Sequence, residues 1–266
     1  MDQHPYWQKQ TFGNPLFEEI EWSRPEQKAR AGKLAIIGGH GQGFAAVGES
    51  YTVAREAGVG EIRVLLPDVL KKTISASLPE ALFLPSNPSN GFSQDAWPQM
   101  QAAAEWADGI LLPGDAGRNS ETAILYEKLV QQTQLPITLT RDAVDLLKNV
   151  YTPLVERPQT LLVVSFAQLQ KIFSSVYYPK VLTFSMPLVG LVEALHKFTL
   201  SYPVTIAVLH NDVLLVAEQG NVSSTPWKNT LAIWRGQTAA KASVYWLWNK
   251  TKAFEAVTTS LITAGR

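Results

Sequence analysis

The feature that most restricts the fold of this chain is a regular alternation of short apolar runs with longer segments of helical period. The runs are KLAIIG (33–38), EIRVLLP (61–67), ALFLP (81–85), GILLPG (109–114), PITLT (136–140) and TLLVVS (160–165). Segments such as FAAVGESYTVAREAG, QDAWPQMQAAAEWA and SETAILYEKLVQQ separate them, and FAQLQKIF follows the last. Strand followed by helix at this spacing is the rhythm of βαβ units. The runs are almost continuous in Val, Ile and Leu, so the strands are expected to be covered on both faces, in a mainly parallel sheet between two helical layers. TIAVLH (205–210), Asn211-Asp212 and VLLVAEQ (213–219) then read as a hairpin, which predicts an antiparallel edge. The tail from Thr230 reads as two helices rich in Ala, Trp and Lys. Residues 1–30, polar with scattered aromatics and prolines, read as an arm lying on the body, and 31–266 as a single α/β domain.

Composition removes several kinds of chemistry. The chain has 266 residues, 46% of them hydrophobic and 17% charged, enough for a sizeable core and too little charge for disorder. Lys+Arg and Asp+Glu are 23 each, which argues against a nucleic-acid or membrane surface as main partner. Cysteine is absent, so disulfides, thiolate nucleophiles and cysteine metal sites are excluded. Four histidines, His4, His40, His196 and His210, leave little material for a histidine metal site, and no protein-bound metal is expected. The N-terminus has an early acid and no apolar h-region, and the longest uncharged stretches are short of a membrane span. A cytoplasmic protein is the expectation.

The most informative segment is strand–GGHGQG–helix, with Gly38, Gly39, Gly41 and Gly43. Glycines after a first strand let backbone amides approach an anion, and the next helix adds its positive end. The phosphate-loop pattern lacks its Lys-Ser/Thr here, and GxGxxG cannot be laid over these glycines. Local residues leave two readings open, a tight turn and an anion or nucleotide loop.

Over a longer stretch, GKLAIIGGHGQGFAAVGESYTVAREAGVGEIRVLLP (32–67) resembles the opening of the ADP/ATP-dependent NAD(P)H-hydrate dehydratases of the ribokinase-like superfamily. The match runs without a gap through Gly38, Gly39, Ala46, Ala54, Gly58, Gly60 and Pro67. LPEALFLP (78–85), WADGILLPGDAGRNSETAILYEKLV (106–130) and PITLTRDAVDLL (136–147) are similar to that family's next segments, in order, and the likeness extends over roughly residues 32–250. It implies a ribokinase-like three-layer α/β sandwich, ATP/ADP or NAD(P)(H) as ligand, and a crevice at the carboxyl ends of the strands. Gly38–Gly43 would form one wall of that crevice, Gly114, Gly117, Arg118, Asn119 and Thr140–Asp142 another, and Arg235–Thr238, with Gly236, the floor.

The same comparison empties the chemistry. The family's GTGD-type loop falls on LAIWRGQTAAKA (231–242), with Arg235 at the first glycine, Gln237 at the last and Thr238 at the aspartate that serves as general base. Losing such a base costs on the order of 10²–10⁴ in rate. Ser165 stands where the family has an acid, Leu209-His210-Asn211 where it has LKG, and Thr140-Arg141-Asp142 keeps only the second acid of its DADAL motif. Asp115 looks inserted. The expectation is a divergent, catalytically weak or inactive relative that binds a nucleotide or dinucleotide. The alternatives are an active dehydratase or small-molecule kinase with relocated acids, and a non-catalytic interaction module.

Single residues have plainer readings as well. His40 can contact a phosphate or nicotinamide ring, or be a turn residue. Asp142 can bind substrate, or cap a helix, the reading preferred here. Arg118 and Asn119 suit an anion, yet Asn119 or Ser120 is equally an N-cap. Asp115 is read as a solvated turn aspartate in preference to an acid/base group. His196 and His210 are read as neutral structural histidines. Tyr245, Trp246 and Trp248 suggest core or a homo-oligomer interface before an aromatic lid. Lys71-Lys72 is too small a basic patch for nucleic acid.

Overall fold

A computed structural model describes residues 4–74 and 78–262. The ends of the two expected segments, 1–3 and 263–266, therefore lie outside the described residues. Every apolar run named above forms a strand. In chain order these are β1 (Trp7–Lys9), β2 (Lys33–Ile37), β3 (Glu61–Pro67), β4 (Ala81–Leu84), β5 (Gly109–Leu112), β6 (Ile137–Thr140), β7 (Thr160–Val164), β8 (Thr205–His210), β9 (Val213–Glu218) and β10 (Asn221–Pro226). They make one sheet in the order β1-β10-β9-β8-β7-β6-β5-β2-β3-β4. Pairings from β8 across to β4 are all parallel, and β9 runs antiparallel to both β8 and β10.

The helices are α1 (Glu18–Trp22), α2 (Ala45–Ala57), α3 (Lys71–Ile74), α4 (Trp97–Trp106), α5 (Ser120–Gln132), α6 (Asp142–Leu146), α7 (Tyr151–Glu156), α8 (Phe166–Ser175), α9 (Leu188–Ser201), α10 (Thr230–Trp234), α11 (Gln237–Trp248) and α12 (Ala253–Ile262). They cover both faces of the sheet, as continuous apolar strands require. Ala35, Ile37, Leu162 and Val164 pack with α4–α9, while Leu34, Ile36, Leu161 and Val163 pack with α2, α11 and α12. Successive strand residues thus serve opposite cores, the consequence of a two-residue side-chain period. None of the described helices is long and apolar enough to cross a membrane.

Three features differ from expectation or add to it. The tail forms three helices, because Arg235 and Gly236, the latter at φ 79°, end α10 and re-aim the chain into α11. The predicted hairpin is interior to the sheet: β10 pairs with β9, and β1 pairs in parallel with β10. Trp7 Nε1 donates to Ser224 Oγ at 2.9 Å, and the buried Gln10 amide donates to Thr225 Oγ1 and the Thr258 carbonyl. Of the aromatic cluster, Tyr245 and Trp246 belong to the core and Trp248 packs against it.

Candidate functional site

The loops after β2, β5 and β6 meet at the carboxyl end of the sheet, with the start of α11 against them. Gly38 lies so close to the β5 loop that a Cβ there would stand 2.7 Å from the Gly114 carbonyl oxygen. Gly236 packs against Pro113, and Gly114 against Asp142 and Arg141. Gly38, Gly39, Gly114, Gly117, Asp142 and Gly236 are therefore brought together as expected, with His40 against Gly117.

Both amide cradles in this cluster hold carboxylates of the chain itself. The amides of Asp115, Ala116 and Gly117 donate to the Asp142 carboxylate at 2.8, 3.0 and 3.2 Å. Consecutive N–H groups turned inward make an anion nest, and here Asp142 is the anion. The expectation that Asp142 caps a helix is corrected: Arg141, at φ 57°, holds the cap position of α6, and Asp142 faces the neighbouring loop. Burial pushes the Asp142 carboxyl above the usual carboxylate range, and the charge of Asp115 pushes the same way.

Asp115 is not a solvated turn residue. Its Oδ2 accepts the Ala46 amide at 2.7 Å, and its Oδ1 accepts Arg141 Nη2 at 2.6 Å. Phe44 at the cap position of α2 supplies no side-chain acceptor, so Asp115 satisfies this helix start from another loop. Both anion-binding features of the glycine-rich region are thereby closed by Asp115, Arg141 and Asp142 acting together.

The other candidates take local structural roles. His40 Nε2 meets the Ser89 carbonyl at 2.6 Å, and the His40 and Gly43 backbones pair with each other. Asn119 caps α5, its Oδ1 accepting the Glu121 and Thr122 amides. Arg118 is exposed. Ser165 and Gln168 form a capping box on α8, and the Gln168 amide donates to the Arg141 carbonyl. His210 is buried, its ring stacked on Phe166 and its Nε2 3.0 Å from the Met186 carbonyl. His196 stacks on Tyr6.

The start of α11 is different. Gly236 at its cap position provides no side-chain acceptor, and no side chain among the described residues accepts from the first-turn amides. Beside them Ser50 Oγ and Thr238 Oγ1 are buried without a hydrogen-bond partner among the described residues. Ser50 Oγ lies 3.1 Å from the Cβ position of Gly236. Glu49 reaches the α10–α11 turn, accepting Gln237 Nε2 at 2.7 Å and facing Arg235 Nη1 at 3.4 Å. A cavity of about 490 Å³ opens next to this turn, between α2 and α10–α11, lined among others by Glu49, Thr52, Ala232, Gln237, Thr238 and Lys241. Ser50, Glu49 and Lys241 went unnoticed in the sequence, since a serine on an otherwise apolar helix face and lone charges on helices carry no motif.

Thr238, where the resembling family has its aspartate, is buried in the first turn of α11, and no carboxylate hydrogen-bonds to its hydroxyl. Among the described residues no three His, Asp or Glu side chains gather closely enough to hold a metal ion.

No protein-family model and no curated protein matches the chain. Solved structures do match along most of its length. A ribokinase-like superfamily protein from Enterococcus faecalis is 14% identical with a TM-score of 0.75, over 97% of this chain and 87% of that one. An ADP/ATP-dependent NAD(P)H-hydrate dehydratase from Bacillus subtilis, co-crystallised with ATP and Mg²⁺, is 14% identical with a TM-score of 0.62, over 93% and 86%. A Staphylococcus aureus pyridoxal kinase in complex with AMP-PCP is 12% identical with a TM-score of 0.55, over 86% and 85%. At such identities the likeness is one of fold. Its ten-stranded, mostly parallel sheet between two helical layers gives this chain the ribokinase-like fold.

Proposed function

We propose that this chain binds a nucleotide or similar phosphorylated small molecule at the start of α11 and does not dehydrate a hydrated nicotinamide. One observation carries the reading. The start of α2 and the nest of the β5 loop are closed by the chain's own carboxylates, while the uncapped α11 turn has two hydroxyls beneath it with no partner among the described residues and a cavity beside it. Uncapped first-turn amides at the positive end of a twelve-residue helix favour an anion, and Arg235 on the same turn adds a cation. The dehydratase and the pyridoxal kinase of the same fold were crystallised with ATP and AMP-PCP, which agrees with a nucleotide.

The reaction is another matter. No carboxylate among the described residues hydrogen-bonds to Thr238, Glu49 nearby is engaged by Gln237 and Arg235, and Asp115 and Asp142 are committed to amides and to Arg141. Isothermal titration with ATP, ADP, AMP and NADH tests binding: a saturable heat with at least one is expected, and none with any overturns the proposal. Incubation with hydrated NADH and ATP tests the second half. Its absorbance is expected to stay at the uncatalysed rate, and ATP-dependent conversion would overturn that half.

A second reading rests on α10, where Leu231 and Trp234, one turn apart, are 60% and 56% exposed. An exposed apolar pair beside a self-filled crevice suits an interaction module. Trp234→Ala leaving nucleotide binding intact while lowering the solution mass, measured by light scattering, would favour it.

A further inference from the structure

Glu49 stands across the start of α11. It belongs to α2, yet its carboxylate holds both side chains that flank the cap residue Gly236. Its Oε2 accepts Gln237 Nε2 at 2.7 Å, and its Oε1 faces Arg235 Nη1 at 3.4 Å. Beneath the same turn Ser50 and Thr238 are 0% and 3% exposed, and neither hydroxyl has a partner among the described residues. The donors that this place offers an anion are therefore neutral ones, the first-turn amides and two hydroxyls. Around the turn and along the neighbouring cavity, Glu49 and Glu56 stand against Arg235 and Lys241, two acids to two bases. Water screens the Glu49–Arg235 pair unequally. The Arg235 side chain is 57% exposed and that of Glu49 29%, so the field of the acid reaches the buried turn less attenuated than that of the base.

We infer that Glu49 sets the charge of the anion accepted at the α11 start, favouring an esterified phosphate with one negative charge over a terminal phosphate with two. The inference rests on the binding site proposed above and names the ligand class that this site takes. That class is a dinucleotide or other pyrophosphate diester, ahead of a nucleoside di- or triphosphate. A helix start with hydroxyl donors holds a single negative charge well. A phosphate monoester carries about −1.5 to −2 at pH 7. Its extra charge finds Arg235 already engaged and meets the Glu49 carboxylate. Capping that phosphate as an ester removes the extra charge and the repulsion with it. A second charge beside a partly screened carboxylate lowers affinity on the order of fivefold.

Titration calorimetry of the full-length protein with ADP and with its β-methyl ester tests this, because the two ligands differ by one methyl group and one charge. At pH 7.5 and low salt the native chain is expected to bind the ester about fivefold tighter than ADP. NADH, which also lacks a terminal phosphate, is expected to side with the ester. Glu49→Gln keeps the size of the side chain and an acceptor for Gln237, and is expected to abolish the preference, chiefly by tightening ADP. Raising the salt to about 0.15 M is expected to shrink the native preference, a comparison that needs no variant to fold. ADP bound by the native chain as tightly as its ester overturns the inference. So does a preference that is indifferent to salt, or one unchanged in Glu49→Gln at an unchanged melting temperature. Heat with ADP and none with the ester leaves the proposed site standing and removes this inference, whereas no heat with any of the three ligands removes both.

Discussion

Asp142 is the residue on which the strand-end cluster turns. Three amides of the β5 loop end on its carboxylate. Asp142→Ala leaves those donors without an acceptor in a largely buried place, an expected loss of about 2–4 kcal/mol. Asp142→Asn keeps one acceptor oxygen and should lose about half of that. Urea unfolding of both variants measures it, and an alanine cost under about 0.5 kcal/mol would contradict the assigned role. Lys241 provides a pH-dependent counterpart. In the folded chain it releases its proton near pH 8, against a usual value of 10.5. Between those values the unfolded chain binds the extra proton, so this group makes stability rise with pH across that window. Lys241→Met removes the rise. The stability of the variant relative to the native chain should therefore fall from pH 8 to pH 10.5, and a pH-independent difference in urea titrations would refute it. Asp142 could be noted from sequence because it follows a strand, but its partner could not, since the accepting geometry depends on a loop 27 residues away.

Elements were legible wherever one local pattern fixed them. The Val/Ile/Leu runs became β2–β9 because a strand buried on both faces needs no polar alternation. Local signals failed where a cap or a partner came from elsewhere in the chain. Arg157 is the clearest instance: its buried guanidinium donates to the carbonyls of Val130, Thr133, Leu135, Pro158 and Gln159, tying the ends of α5 and α7 to the start of β7. Nothing in the residues around position 157 announces this. Helix α2 likewise begins without a cap of its own and takes one from Asp115. Asp115→Ala should cost about 1–2 kcal/mol and speed hydrogen exchange at the amides of the first turn of α2. Unaltered exchange there, with only the β5 loop loosened, would mean that the Arg141 pair rather than the cap is what Asp115 contributes.

Over the whole molecule, the sheet is closed at one end by the segment that reads as an arm. β1 gives β10 a partner along Val222–Ser224, and Trp7 and Gln10 anchor it by side-chain hydrogen bonds. Deleting residues 1–10 uncovers an edge of β10, a template for pairing with other chains. Losing three side-chain bonds and the edge ladder should cost about 2 kcal/mol, a fall in Tm of roughly 4–8 °C. Light scattering should register association above the native mass, and a monomeric variant with unchanged Tm would show β1 to be dispensable. Sequence alone determined the layer architecture, the alternation of strand and helix from β2 to β9, the absence of thiol chemistry and a threonine rather than an acid at position 238. These follow from side-chain period and residue type, which are local. Only the tertiary structure decided that Asp115 and Asp142 fill the anion cradles, that no side chain among the described residues caps α11, and that Lys241 lines a cavity beside that turn. Each of these depends on which groups distant in the chain share a space, and a hydrogen bond or a desolvated charge is set by that proximity rather than by the neighbours in sequence.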